Sequence, residues 1–284
     1  MIFGLVAALG WGLADFGGAV ISRRIGSVPT VLISQASGAL VMAVVLVLGE
    51  QGVDALTPNL GWVLLGGIVA AAAYASHYRA LQLGPVSVVS PIGAAYALVG
   101  VALAVVLLGE RLSAAELGGA VVTVLGVMLA SADLRALLEG THERAPGLPL
   151  ALLSALLFGV AGYILAWLSR EVGWAVALWA SRTTLVVALA LPVALVGRRA
   201  VWSRVTPGVG IVGAVAVGMA DLLGVATYAA GAERGFVSVV IVASSVFPLI
   251  AVALSVLLLH ERPVANQYVG VGLVVVGLLM LGLG

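Results

Sequence analysis

The stretch Gly84-Pro85-Val86-Ser87-Val88-Val89 returns as Gly235-Phe236-Val237-Ser238-Val239-Val240, displaced by 151 positions (235 − 84). Without a gap, the same displacement carries Leu107-Leu108-Gly109-Glu110-Arg111 onto Leu258-Leu259-His260-Glu261-Arg262, and Gly126 onto Gly277. About half of the residues between positions 84 and 111 are identical to their counterparts. Apolar segments resemble one another by composition alone, so the weight of the match rests on its Gly, Ser and Glu-Arg positions. Earlier in each copy the match is weaker and the displacement is 147. It pairs Gly12 with Gly159, Ser22-Arg23 with Ser169-Arg170, Gly26 with Gly173, and Trp11 with Phe158. The chain is therefore read as a duplicated unit, residues 1–133 and 147–284. The longest polar break, Ser131 to Pro146, separates the copies and holds Asp133, Arg135, Glu139, Glu143 and Arg144.

Around these landmarks the 284 residues are 63% hydrophobic and 9% charged, with a mean hydropathy of +1.24. A soluble domain carries about 25% charged residues, and it needs them to meet water. A chain this poor in charge has lipid as its solvent. Helices of about 20 apolar residues span a bilayer, and polar or turn-rich breaks divide the sequence into runs of that length. The spans fall at about 2–21, 31–49, 60–82, 86–108, 114–132, 147–168, 174–196, 208–231, 237–259 and 266–283. A β-barrel needs short alternating segments, whereas these runs are long and apolar all round. The expected fold is an all-α integral membrane protein of ten transmembrane helices. Five spans per unit is an odd number, so the second copy enters the membrane from the opposite side. The two five-helix units are then inverted repeats, an architecture that typifies secondary transporters with a site near the midplane.

Several function classes drop out on composition. Formal charge is +1 and every basic residue is Arg, without a basic patch that would suggest nucleic acid. No lysine occurs, so there is no Walker lysine for ATP. Cys is absent, and His77, His142 and His260 show no metal spacing. No enzyme motif, metal site or cofactor is expected. The segment Met1 to Leu13 lacks a charged n-region and reads as a retained first span.

Candidate site residues are the polar and aromatic ones stranded in the spans. Asp221 lies half-way along the eighth span, where a carboxylate costs about 2.5–3.5 kcal/mol on the lenient insertion scale and so faces a cavity or a partner. It is read either as a proton-coupling or substrate-amine site, or as the structural partner of Arg182, which stands deep in the seventh span and matches Gln35 across the repeat. Asp15 follows Trp11 by four residues on one helix face; the bland alternative pairs it with Arg23 or Arg24. Tyr74, His77 and Tyr78 share a face of the third span, and Tyr228 occupies the position equivalent to His77. Such a polar-aromatic lining suits an amphipathic organic ligand, although interfacial anchoring explains Tyr78 equally well. Glu110 and Glu261 end helices beside an Arg and are read as local caps or ion pairs. Ser87 and Ser238 sit in first turns, where capping is the default.

Three features together resemble the drug/metabolite transporter superfamily, EamA type, over essentially the whole chain. Gly10-Trp11-Gly12 opens the first helix. Gly109-Glu110-Arg111-Leu112, echoed by His260-Glu261-Arg262, ends the fourth and ninth, and a Gly-containing apolar helix closes each half. That family also tends to carry a proline thirteen residues before the Glu. Pro248 fits, whereas Ala97 stands at the other position and Pro91 six residues earlier, so kinking of the two halves is expected to differ. The resemblance implies helices 1, 3, 4, 6, 8 and 9 around a central cavity in a multi-pass protein of a prokaryotic inner or plasma membrane. It implies a small-molecule solute such as an amino acid, often exported, with protons as a candidate coupling ion. A broad-specificity drug exporter and a non-transporting membrane subunit are the alternatives. Orientation stays open: the odd-numbered loops hold nine Arg and the even-numbered three, which puts the termini outside, while the resemblance implies termini inside.

Overall fold

A computed structural model of the chain describes residues 1–84, 86–131, 147–196, 201–203, 205, 208–250, 253–254 and 265–283. The polar break with Asp133, Arg135, Glu139, Glu143, Arg144 and His142, the segment His260-Glu261-Arg262, and Pro85 all lie outside them.

Where no water is present to bond the backbone, every N–H and C=O must be satisfied within its own segment. Helix is the answer here. The elements in chain order are α1 (Ile2–Ile25), α2 (Ser27–Leu48), a 3₁₀ turn at Asp54–Asn59, α3 (Leu60–Leu83), α4 (Val86–Ala94), α5 (Tyr96–Leu107) and α6 (Ala114–Ser131). They continue with α7 (Leu148–Val172), α8 (Trp174–Val196), α9 (Val209–Arg234), α10 (Val237–Ser244) and α11 (Ala265–Leu283). Among the described residues, six helices are long and apolar enough to cross a membrane: α1, α2, α3, α7, α8 and α9. Shorter apolar helical stretches run over Ile92–Leu107, Ala114–Ala130, Val237–Ile250 and Ala265–Leu281. The outward faces are apolar; Val47 and Leu195 are each 77% exposed, a surface that lipid tolerates and water does not.

Two departures from the expected spans matter. The helices overrun them: α1 reaches Ile25, α2 begins at Ser27, and Gly26 alone separates the two. So abrupt a reversal needs a left-handed residue, and Gly26 has φ 94°. Its repeat counterpart Gly173 (φ 83°) makes the same turn between α7 and α8. The run expected as one span over 86–108 is also broken at Ala95, where the short bonds Ala95 N–H to Ile92 C=O and Leu98 N–H to Ala95 C=O replace the regular ladder. The second copy breaks at the matching place, after Ser244 in α10, with helix resuming at Pro248. Pro248 lacks an N–H and crowds the carbonyl four residues back, which accounts for this break. Ala97 offers no such cause, yet the earlier helix is interrupted at the matching place as well.

Glycine sets the closest contacts. A Cβ on Gly119 would lie 2.7 Å from Gly277 O, and one on Gly126 would lie 2.7 Å from Val274 N, so α6 and α11 meet backbone to backbone. A Cβ on Gly10 would lie 2.5 Å from Gly224 N where α1 crosses α9. Close approach of this kind is how helices associate where no hydrophobic drive exists between them. Long helices from the two ends of the chain interleave, α1 against α9 and α3 against α7 and α8, and leave a space among them.

Candidate functional site

That space is a cavity of about 120 Å³ lined by residues of α1, α2, α3, α7, α8 and α9, with Gly93, Tyr96 and Phe247 from the two broken helices. Trp11, Asp15, Tyr74, His77, Arg182, Asp221 and Tyr228, the residues singled out from the sequence, all line it.

Asp221 is fully engaged. Its Oδ2 accepts from Arg182 Nη2 at 2.7 Å and from Gln35 Nε2 at 3.0 Å, and its Oδ1 accepts from Tyr74 Oη at 2.8 Å. Arg182 Nη1 in turn donates to Gln35 Oε1 at 3.0 Å. The ion pair is 3% and 4% exposed at its side chains. Four helices, α2, α3, α8 and α9, are thus tied by one charge-assisted network of the kind worth most when every member is satisfied.

Asp15 belongs to a second cluster. His77 Nε2 lies 3.0 Å from Asp15 Oδ1, and Ser90 Oγ donates to Asp15 Oδ2. Ser154 Oγ stands 3.4 Å from Nδ1 on the other edge of the ring. The pairing of Asp15 with Arg23 or Arg24 is not what forms; Arg23 instead donates to Gly84 O at 2.9 Å. Interfacial anchoring of Tyr78 also fails, because Tyr78 is 3% exposed, inside the bundle against Gly18.

Aromatic rings make up much of the remaining wall. Trp11 meets Tyr96, Tyr228 and Phe247 at centroid distances of 5.9, 5.7 and 6.3 Å. Phe158 meets Tyr74 at 4.9 Å and His77 at 5.5 Å. Tyr228 Oη donates to Gly162 O at 3.0 Å. Sequence reasoning missed Ser90, Ser154, Tyr96 and Phe247, and it knew Gln35 and Phe158 only as repeat counterparts. The one available signal was that Tyr96 and Phe247 are related by the displacement of 151 (247 − 96).

Glu110 is no local cap. Its carboxylate accepts from the backbone of Val237 (2.8 Å) and Ser238 (3.0 Å) and from Ser238 Oγ (2.6 Å), so it caps the N-terminus of α10. Arg170 Nη2 pairs with it at 3.1 Å and also donates to Gly235 O. Among the described residues no three His, Cys, Asp or Glu side chains gather as a metal site.

A bundle that is helical over nearly all of the described residues, with apolar outward faces and a largely apolar, aromatic-lined cavity holding a few charged groups, has the character of a multi-pass membrane protein. The EamA-like transporter family matches residues 1–132 and 145–283, and the chain belongs to that family. A solved structure, titled only as a crystal structure of a protein, superposes with a TM-score of 0.78 at 21% identity, covering 99% of this chain and 96% of that one. It shares the fold. Comparison with curated proteins gives no match.

Proposed function

We propose that the chain is a secondary transporter that carries a small organic solute, such as an amino acid, outward through the central cavity by alternating access. Its ten spans are two inverted five-helix units, residues 1–133 and 147–284, in one membrane domain. The observation that carries the reading is the cavity itself, a buried space lined by both copies with compensated charges and aromatic walls. A non-transporting subunit has no use for such a space and is expected to be packed shut.

Repeated contacts support the duplication, and one contact between the halves supports a two-fold. Under the displacements of 147 and 151, His77 against Asp15 becomes Tyr228 against Gly162, and both contacts form within their halves. Arg23 to Gly84 O becomes Arg170 to Gly235 O, and both form. Gln35 and Arg182, equivalent to each other, touch directly across the halves. Residues related by a two-fold axis meet each other where they lie on that axis. The match of the family over two consecutive stretches of similar length agrees with this.

Of the two carboxylates in the cavity, Asp221 already has Arg182, Gln35 and Tyr74, whereas Asp15 faces a titratable imidazole. Exchange of a coupling proton is therefore assigned to Asp15 and His77, and Asp221 to holding the four helices. The aromatic walls favour amphipathic solutes generally, which keeps a broad-specificity drug exporter as the second reading. The test is uptake and efflux by the full chain in proteoliposomes against a metabolite and drug panel, with and without a pH gradient. Absence of flux for every solute would end the transport reading.

A further inference from the structure

The connection between α5 and α6 sends its charges in different directions. α5 ends at Leu107, Gly109 takes φ 66°, and the Glu110 N–H returns to Ala104 O at 3.3 Å. A left-handed glycine is a common way to end a helix sharply. Glu110 is carried inward onto α10 and Arg170. Glu116 is also committed: its carboxylate accepts from Ser113 N–H at 2.7 Å while its own N–H donates to Ser113 Oγ at 3.1 Å, a capping box at the start of α6. Arg111 is left over. It is exposed and, among the described residues, makes no hydrogen bond or ion pair.

The two helices behind this connection do not close on each other, although only residues 108–113 join them. α6 packs on α11 instead. Between α5 and α6 lies an apolar groove of about 260 Å³, walled by Leu98, Val105 and Val106 on one side and Leu117 and Val121 on the other, with Val242 of α10 also lining it. The five wall residues are exposed and Val242 is buried, so the groove opens on the outer face of the bundle. From Leu98 to Val106 an α-helix rises about 12 Å. That is close to the depth of one leaflet, half of a hydrocarbon core of about 30 Å.

We propose that this groove is a binding site for an anionic phospholipid, with one acyl chain laid between α5 and α6 and the phosphate on Arg111. A slot left empty forfeits the dispersion contacts of its walls, and a hydrocarbon chain is the shape that restores them along its length. The charges at the end of the groove select the headgroup. A guanidinium pairs well with a phosphate. Both carboxylates of the connection, Glu110 and Glu116, are buried and already bonded, so a headgroup ammonium finds no acceptor there. An anionic lipid thus gains at Arg111 what a zwitterionic lipid partly cancels with its own cation. The groove shares no lining residue with the central cavity, and this site does not depend on the transport reading.

The test is native mass spectrometry of the full chain, purified in detergent and titrated with dioleoyl phosphatidylglycerol or with dioleoyl phosphatidylethanolamine, which has the same acyl chains. At low ionic strength the anionic lipid should be retained about fivefold more tightly, the scale set by one Arg near an anionic headgroup. Arg111→Gln should bring the two lipids level without changing the melting temperature, because Arg111 bonds nothing within the chain. Ala102→Trp sets an indole in the groove from an exposed position, and it should cut retention of both lipids. Equal retention of the two lipids by the unaltered chain would overturn the inference. So would an unchanged preference in Arg111→Gln or undiminished retention in Ala102→Trp. A lipid-free dimer that falls apart in Ala102→Trp would place a second copy of the chain in the groove and overturn it as well.

Discussion

Replacing Asp221 by Asn keeps the shape of the side chain and one acceptor oxygen but removes the negative charge. The native carboxylate accepts three hydrogen bonds, from Arg182, Gln35 and Tyr74, and it neutralises an arginine that is 3% exposed. In the variant Arg182 becomes a buried cation without a counter-ion, since the nearest alternative acceptor in the network, Gln35 Oε1, is already bound to it. Breaking a buried pair from one side costs about 3–5 kcal/mol. With an unfolding entropy near 2.1 cal/mol/K per residue, that corresponds to a melting temperature lower by about 5–8 °C for a chain of this length. The assay is thermal unfolding of the purified protein in detergent, read by intrinsic fluorescence. Arg182→Met combined with Asp221→Leu provides the control. Removing both charges together is often neutral or stabilising, so the double variant should melt above Asp221→Asn. An unchanged melting temperature in Asp221→Asn, or additive losses in the double variant, would refute the view that this pair is a structural tie.

Asp15→Asn should leave melting within a few degrees yet abolish the response of flux to a pH gradient in proteoliposomes, because it removes the carboxylate to which proton exchange is assigned; a gradient response that survives would move proton exchange elsewhere. Glu110→Gln weakens the cap of α10 and the pair with Arg170, bonds to a charged group worth about 1.5–3 kcal/mol, and should lower the melting temperature by a few degrees in the same fluorescence assay. Gly126→Leu places a side chain where Val274 N already stands, so α6 and α11 should separate, visible as loss of the monodisperse peak in size-exclusion chromatography.

Much of this fold was legible because lipid leaves a chain few options. A 63% hydrophobic sequence with breaks between its apolar runs has helices as its solution, although the one-residue turns at Gly26 and Gly173 were not read from it. The site was legible in part, because a carboxylate or imidazole in a span advertises itself by its cost. Partners were not. Asp15 and His77 were both singled out, but nothing local says that residues 62 apart share a bond. Gln35 and Ser90 stayed unmarked as donors because a lone Ser or Gln in a helix can satisfy itself on nearby groups. Glu110 was read as a local cap or ion pair; the ion pair forms, with Arg170, but the cap is on a distant helix, because its bonds to Val237 and Ser238 bridge sequence separations of 127 and 128. The break at Ala95 has no proline or glycine at its own position, so nothing at that residue announced it.

The interruptions at Ala95 and after Ser244 bear on how this protein moves. A continuous α-helix behaves as a rod, and tilting one end swings the other. Here each rod is severed beside the cavity, with Tyr96 and Phe247 at the cut. In the transport cycle proposed above, a joint at that level would let one part of such a helix lean while the other stays upright. One mouth could then narrow without forcing the other to widen in the same stroke, and an intermediate sealed at both faces would follow.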